Sequence, residues 1–273
     1  EESVLDLTGN GIISGPVRLE GCTLKASGSP TISGVLTQSD NATIEVASGQ
    51  TLTYSGASLN LGANKLTLSG EGTFNNSNAL VLNNADSLLS LEGIVTIGNV
   101  QATDNATSGK GIQVVESATF GSFDLTATSF LDIAANKTIN GPITLQNNAD
   151  LQISGSGEYL GDMELAGGKF RVDSNRDLTG TVSVTESSEI IVPTGSTLVL
   201  NQTGGLSLGA TTLTLSGGGS LVSGGLTLND PSSMLLLNSI TVDSVSTSAD
   251  NSGLDVDPYS TVSSFTVAHT TPV

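Results

Sequence analysis

Residues 59–72 read LNLGANKLTLSGEG and residues 206–219 read LSLGATTLTLSGGG, so ten of the fourteen positions are identical. Within the first copy, Leu66 and Leu68 share one face of an extended strand, because alternate side chains point to opposite faces. Five mostly small residues follow, and the next apolar residue is Phe74. The recurrence of this stretch indicates a repeat protein.

The same pattern, an apolar pair two residues apart followed by an apolar residue six positions later, occurs thirteen times along the chain. The twelfth module, for example, is Met234, Leu236 and Val242. Most modules carry a third apolar pair, which predicts three short strands per module. Length varies mainly between the second and third strands, with eight residues from Leu198 to Leu206. The mean period of about 21 residues is typical of a solenoid.

These modules predict an all-β fold, a single-stranded right-handed parallel β-helix (β-solenoid) of about 13 coils of about 21 residues. One coil cannot bury its apolar face alone, whereas stacked coils pair equivalent strands and align their inward residues. Glycine and serine at nearly every turn disfavour helices. The unbroken register favours one continuous β-helix over residues 1–273. Because the chain starts inside the strand pattern and ends without a cap, we expect a fragment of a longer secreted protein.

Internal similarity extends beyond the single coil. Residues 44–82 match residues 190–228 at an offset of 146 to 147, about seven modules. Residues 1–54 match residues 127–180 at an offset of 126, about six modules. Repeated duplication accounts for both matches and predicts a nearly uniform cross-section.

A threonine precedes the third apolar residue in nine of the thirteen modules, which predicts a column of threonines on the outer face. Such a column could order water, but it is one residue wide, and the strand propensity of β-branched residues accounts for it better. Its members are Thr31, Thr51, Thr73, Thr96, Thr119, Thr138, Thr197, Thr241 and Thr261.

The chain is strongly acidic, since 26 acidic and 8 basic residues give a net charge of −18. Nucleic acid is not expected as a partner, because phosphate binding needs clustered lysine and arginine. Solubility through self-repulsion is the simplest interpretation of the charge. The single cysteine, Cys22, excludes an intrachain disulfide. No apolar run is long enough for a transmembrane helix.

Residues suited to catalysis are scarce. The only histidine, His269, lies in the C-terminal tail, which disfavours histidine-based catalysis and histidine-rich metal sites. We therefore expect no enzymatic activity, no cofactor and no metal site. The less favoured alternative is a carbohydrate-active enzyme that uses paired carboxylates as acid and base. The pairs available for it are Asp255 with Asp257, Asp162 with Glu164, and Glu186 with Glu189.

Three turns are enlarged, and all three contain Asp-Asn immediately before a new module. They span residues 38–43, 101–111 and 246–253. Because each precedes a module start, we expect them to project from the same corner, where solenoids often bind partners. Asp-Asn is also favourable turn chemistry in its own right, and this simpler reading is the preferred one. The candidate binding residues are Asp40, Asn41, Asp104, Asn105, Asp250 and Asn251.

The modules, such as ASLNLGANKLTLSG at residues 57–70, resemble those of right-handed parallel β-helix passenger regions in bacterial autotransporters and filamentous-haemagglutinin-like adhesins. This resemblance covers essentially the whole chain. It implies an extracellular segment at the bacterial cell surface that gives reach and attaches to a protein or glycan of a host or neighbouring cell. The alternative is a structural stalk or filament subunit that self-associates by stacking end to end.

Overall fold

The structure, a computed structural model, describes residues 3–248 and 252–267 of the 273-residue chain. Short strands of successive coils pair in parallel, about 20 residues apart, as Leu5 pairs with Leu24. No helix occurs within the described ranges. The prediction of an all-β parallel solenoid of about 13 coils is confirmed.

The chain divides into two compact units, Glu1–Pro142 and Ile143–Val273. In each unit, the first strands of successive coils form one parallel sheet. In the first unit these strands are Ser3–Leu7, Cys22–Ala26, Ala42–Val46, Lys65–Gly70, Leu88–Leu91, Gly111–Val114 and Thr128–Ile133. In the second unit they are Asp150–Gly155, Lys169–Val172, Ser188–Ile191, Thr212–Ser216, Met234–Asn238 and Gly253–Val256. The single continuous body expected for residues 1–273 stays a prediction.

The second strands follow the first after a tight turn and pair with their equivalents in the same way. In the first unit they are Ile12–Ile13, Thr31–Ile32, Thr51–Tyr54, Thr73–Asn76, Thr96–Ala102, Ala118–Leu125 and Thr138–Asn140. In the second unit they are Glu158–Tyr159, Arg176–Leu178, Thr197–Leu200, Ser220–Val222, Thr241–Thr247 and Thr261–Val267.

Third strands complete most coils. In the first unit they are Val17–Leu19, Leu36–Gln38, Leu59–Asn60 and Leu80–Leu82. In the second unit they are Ile143–Gln146, Met163–Ala166, Val182–Glu186, Leu206–Leu208 and Leu226–Leu228. Where a second strand is seven or eight residues long, its end takes the place of the third strand. The end of Thr96–Ala102, for example, pairs with the third strand Leu80–Leu82 of the preceding coil.

The core of each unit consists of the inward residues of these strands. Leu66 and Leu68 are fully buried, while Thr67 between them stays half-exposed on the outer face. Each buried aliphatic side chain contributes about 1.5–3 kcal/mol to folding. The predicted alternation therefore holds in the strand Lys65–Gly70.

The prediction for the twelfth module is wrong by one residue. Leu235 and Leu237 point inward and are buried, whereas Met234 is 37% exposed. The parallel register places Leu235 against Leu213 and Leu237 against Leu215. Because residues 234–237 are all apolar, their alternation does not decide which face is buried. The six-residue step to Val242 becomes a five-residue step in this coil.

Two first-strand pairings differ from the predicted alignment by two residues. Leu66 pairs with Ala42 rather than with Ile44, and Leu213 pairs with Ser188 rather than with Ile190. A shift of two residues keeps every side chain on its face. The small residues Ala42 and Ser188 supply the extra inward position, and both are buried. The same shift thus occurs at matching points of the 146-residue duplication.

The threonines do not form one column, so that prediction is also wrong. Thr31 pairs with Thr53 rather than Thr51, and Thr119 pairs with Asn140 rather than Thr138. Shifts in register of two residues between coils break the alignment. The longest uninterrupted run of threonines in this position consists of Thr51, Thr73, Thr96 and Thr119.

Candidate binding surface

The first Asp-Asn turn lies between the strands Leu36–Gln38 and Ala42–Val46. Its residues Asp40 and Asn41 are exposed. The backbone N–H of Asn41 donates to Asp40 Oδ1 at 2.7 Å, which closes the turn. Asn41 Oδ1 accepts the backbone N–H of Lys65 in the following coil at 2.7 Å. The asparagine side chain therefore joins two coils.

The second Asp-Asn turn repeats these contacts in the loop of residues 103–110. Asn105 N–H donates to Asp104 Oδ1 at 2.8 Å, and Asn105 Oδ1 accepts Thr128 N–H of the following coil at 2.9 Å. Lys65 and Thr128 each begin a first strand, so the two turns occupy equivalent positions in the coil. The third pair, Asp250 and Asn251, lies outside the described residues, so its position stays a prediction.

Backbone hydrogen bonds hold the 103–110 loop to the coils on both sides. Thr107 N–H donates to Ala85 O at 2.8 Å in the preceding coil, and Ala106 N–H donates to Thr128 O at 2.9 Å in the following one. Asp104 and Ser108 stay exposed. The loop is thus held against both neighbouring coils, and its outer polar groups face solvent. What it binds stays a prediction.

The Asp255 and Asp257 pair shows how a carboxylate serves the fold. Asp257 accepts the hydroxyl of Ser260 and the backbone N–H of Ser239 in the preceding coil, the latter at 3.0 Å. These hydrogen bonds, that of Ser260 first, lower the pKa of Asp257 below its ordinary value. Ser239 has a φ of 54°, which is uncommon for a residue with a side chain. Asp257 therefore stabilises a turn of the neighbouring coil.

Glu189 is held in a similar way. Its carboxylate accepts Ser216 Oγ at 2.8 Å and forms an ion pair with Lys169 at 3.0 Å. Burial alone would raise the pKa of Glu189, but the bonds from Ser216 and Lys169 outweigh it, so the pKa is lowered. A general acid at neutral pH needs a raised carboxyl pKa. This carboxylate therefore stays ionised and serves an ion pair.

In the remaining pair, each carboxylate contacts the following coil. Asp162 Oδ1 accepts Thr181 N–H at 2.7 Å, and Glu164 accepts Thr185 Oγ1 at 2.9 Å. Among the described residues, no group of three or more histidine, cysteine, aspartate or glutamate side chains could hold a metal ion. Asp162, Glu164, Glu189 and Asp257 thus each form at least one hydrogen bond or ion pair with a neighbouring coil.

Most of the positive charge is neutralised locally. Six of the eight basic residues of the chain form ion pairs with carboxylates, and Arg176 donates to the carbonyls of Gly155 and Gly157 at 2.7 Å and 2.6 Å. The six pairs are Arg18 with Glu20, Lys25 with Glu45, Lys65 with Glu92, Lys137 with Glu116, Lys169 with Glu189, and Arg171 with Asp150. The remaining carboxylates give the surface its acidic character.

Sequence reasoning missed one concave feature, a groove of about 500 Å³ in the second unit. It lies between the third strands Val182–Glu186 and Leu206–Leu208, and no ladder joins these two strands within the described residues. The long connection before Leu206 forms one wall. That eight-residue step from Leu198 was the only sequence signal for the groove, and it predicted a larger turn rather than a cavity.

Comparison with known protein families, curated proteins and solved structures finds no match to this chain. The relation to autotransporter and haemagglutinin-like passenger regions therefore stays at the level of the sequence resemblance. The structure itself establishes the repeated parallel β-solenoid. Among the described residues, no helix has the length and apolar character needed to cross a membrane.

Proposed function

We propose that this chain is an extracellular, surface-displayed adhesin segment that attaches to a protein or glycan of a host or neighbouring cell. The observation that carries the proposal is the 103–110 loop, which is hydrogen-bonded to the coils before and after it and exposes polar groups to solvent. Its exposed groups include the Asp104 carboxylate and the Ser108 hydroxyl. They are available to a partner, whereas the Asn105 side chain is used in coil stacking.

Order in the loop favours binding because a preorganised segment loses little conformational entropy when a partner docks. Stacked coils supply a support for the loop, since their inward residues are buried and their strands are paired. The acidic surface suits a secreted segment that must stay soluble at high local density. The module resemblance to adhesin passenger regions supports the same location and function.

The test compares attachment of the intact chain and of a variant in which residues 104–109 are replaced by a compact turn. Beads coated with each protein are scored for binding to cells and to immobilised glycans. Asn75→Ala, at an exposed position outside the loop, is the control for a surface substitution that leaves the loop intact. We expect the shortened variant to lose attachment and the control to retain it. Equal attachment by the shortened variant and the intact chain would remove the loop from the proposal.

A second candidate is a stalk or filament subunit in which copies of this chain stack end to end by pairing strand edges. Inward residues available for such a contact are Leu5, which is 53% exposed although its register partner Leu24 is buried, and Phe265, which is 51% exposed. A coil of a second copy placed on either end would cover these side chains. Sedimentation across a range of concentrations tests this, with Leu5→Glu as the blocking variant. A chain that stays monomeric throughout is not a filament subunit.

A further inference from the structure

We infer that the groove between the strands Val182–Glu186 and Leu206–Leu208 is a second binding site, specific for a neutral carbohydrate. The inference rests on the attachment function proposed above, but it concerns a different surface from the Asp-Asn loops. Its volume of about 500 Å³ falls within the range of small-molecule sites.

A break in strand pairing creates the groove. Val182–Glu186 pairs with the preceding strand Met163–Ala166. Leu206–Leu208 pairs with the following strand Leu226–Leu228. Among the described residues, no ladder joins Val182–Glu186 to Leu206–Leu208. Gln202 bridges the break instead. Its Oε1 accepts Val182 N–H at 2.6 Å, and its Nε2 donates to Gly205 O at 2.6 Å. Both ends of the amide are fixed, so the wall of the groove is preorganised.

The duplicated segment in the first unit has the same break but fills it differently. No ladder joins Leu36–Gln38 to Leu59–Asn60 among the described residues. There the N–H of Leu36, equivalent to Val182, donates to the hydroxyl of the fully buried Tyr54 at 3.2 Å. At the position that corresponds to Tyr54, offset by 146, the second unit has Leu200. Leucine has no hydroxyl to accept the N–H of Val182, and Gln202 from the adjoining loop accepts it instead.

The lining selects the class of ligand. It contains hydroxyl and amide side chains and no charged residue, although the chain as a whole carries a charge of −18. A cation would find no carboxylate there, and an anion would find no lysine or arginine. Sugar hydroxyls donate and accept hydrogen bonds, as do the side chains of the lining. These polar side chains are Thr179, Thr181, Ser183, Asn201, Gln202, Thr203 and Ser207.

The hydroxyl groups of the groove are available for such a ligand. Thr181, Ser183 and Ser207 are exposed, and within the described residues their hydroxyls make no intramolecular hydrogen bond. A peptide strand is a poorer fit, because Leu206–Leu208 offers an edge of only three residues and the edge of Val182–Glu186 begins with an N–H that Gln202 already caps. The open groove and the absence of an aromatic platform in its lining favour weak binding, which repeated display at a surface would strengthen.

The test titrates the ¹⁵N-labelled full chain with lactose, cellobiose and N-acetylglucosamine, with glucuronate, glucosamine and an unstructured peptide as comparison probes. We expect at least one neutral sugar to shift the amide resonances of residues 179–183 and 201–207 in a saturable way. The double variant Thr181→Val with Ser207→Ala should weaken that binding about tenfold, since it removes two hydrogen-bonding groups. Thr37→Ala, at the position equivalent to Ser183 in the first unit, should leave the binding unchanged.

Absence of saturable shifts at these residues with every neutral sugar would overturn the inference, as would preferential binding of a charged sugar or of the peptide. Equal weakening by Thr37→Ala would also overturn it. The variant with the compact turn at residues 104–109 separates this inference from the proposed function. If that variant loses cell attachment while the groove binds no sugar, only the inference fails. If sugar binding persists and attachment is independent of the loop, only the loop proposal fails.

Discussion

Leu235 and Leu236 are adjacent leucines that the structure places on opposite faces of one strand. Leu235 is fully buried between its register partners Leu213 and Leu254, whereas Leu236 lies on the outer face beside Asp255. Replacing Leu235 by alanine removes three buried carbon atoms, a loss of about 2.4 kcal/mol at about 0.8 kcal/mol each. The cavity left behind brings the expected cost to about 2–5 kcal/mol.

The same substitution at Leu236 should cost less than about 1 kcal/mol, because the side chain is already partly in water. Urea unfolding of the two variants gives the comparison. Hydrogen exchange of the strand Met234–Asn238 shows whether the loss is local, which matters because repeat arrays can depart from two-state unfolding. If Leu236→Ala is as destabilising as Leu235→Ala, or more so, the inward assignment of this coil is refuted and the predicted Met234 and Leu236 face is restored.

Two further predictions concern polar groups. Asn76 is buried and accepts Gly98 N–H at 2.9 Å, so Asn76→Ala should cost about 1–3 kcal/mol in urea unfolding. Asn75→Ala, at the exposed neighbouring position, should cost almost nothing, and equal losses would contradict the reasoning. The hydrogen bond from Lys65 lowers the pKa of Glu92 in the folded chain. At pH values above the unfolded pKa of this carboxyl, the pair therefore stabilises the fold. The stabilisation is lost as the pH falls through the lowered folded pKa. Glu92→Gln should therefore be slightly less stable than the natural chain at pH 7, by under about 1 kcal/mol. The difference should shrink as the pH falls below the ordinary carboxyl pKa and vanish once the pH is below the lowered folded value, which thermal unfolding at a series of acid pH values will show.

The buried face of most coils could be predicted from the sequence, because most first strands have only one apolar face. Leu66 and Leu68 flank a threonine, so alternation alone decides which side is buried. At residues 234–237 both faces are apolar, and only the pairing with the neighbouring coil decides between them. Ala42 and Ser188 escaped the pattern because an inward alanine or serine does not register as a large apolar residue.

The candidate sites were less predictable than the fold. The equivalence of the two described Asp-Asn turns followed from their place before a module start. The coil-joining role of Asn41 and Asn105 did not, because it depends on backbone groups about 24 residues away. The groove was hidden for the same reason. It arises where two strands fail to pair, and Gln202 reads in the sequence as an ordinary loop residue.

In-register stacking of successive parallel coils is the claim on which the whole account depends, and paired cysteines test it most directly. Thr73 lies one coil from Thr96 and two coils from Thr119, on the same outer face. With Cys22 replaced by serine, cysteines at 73 and 96, or at 96 and 119, should form a disulfide on oxidation. Neighbouring strands are about 4.8 Å apart, within the range of a disulfide, whereas two coils span about 9.6 Å and exceed it. The account predicts fast cross-linking in both adjacent pairs and none between positions 73 and 119. Cross-linking of 73 with 119 at a comparable rate, or of neither adjacent pair, would contradict it.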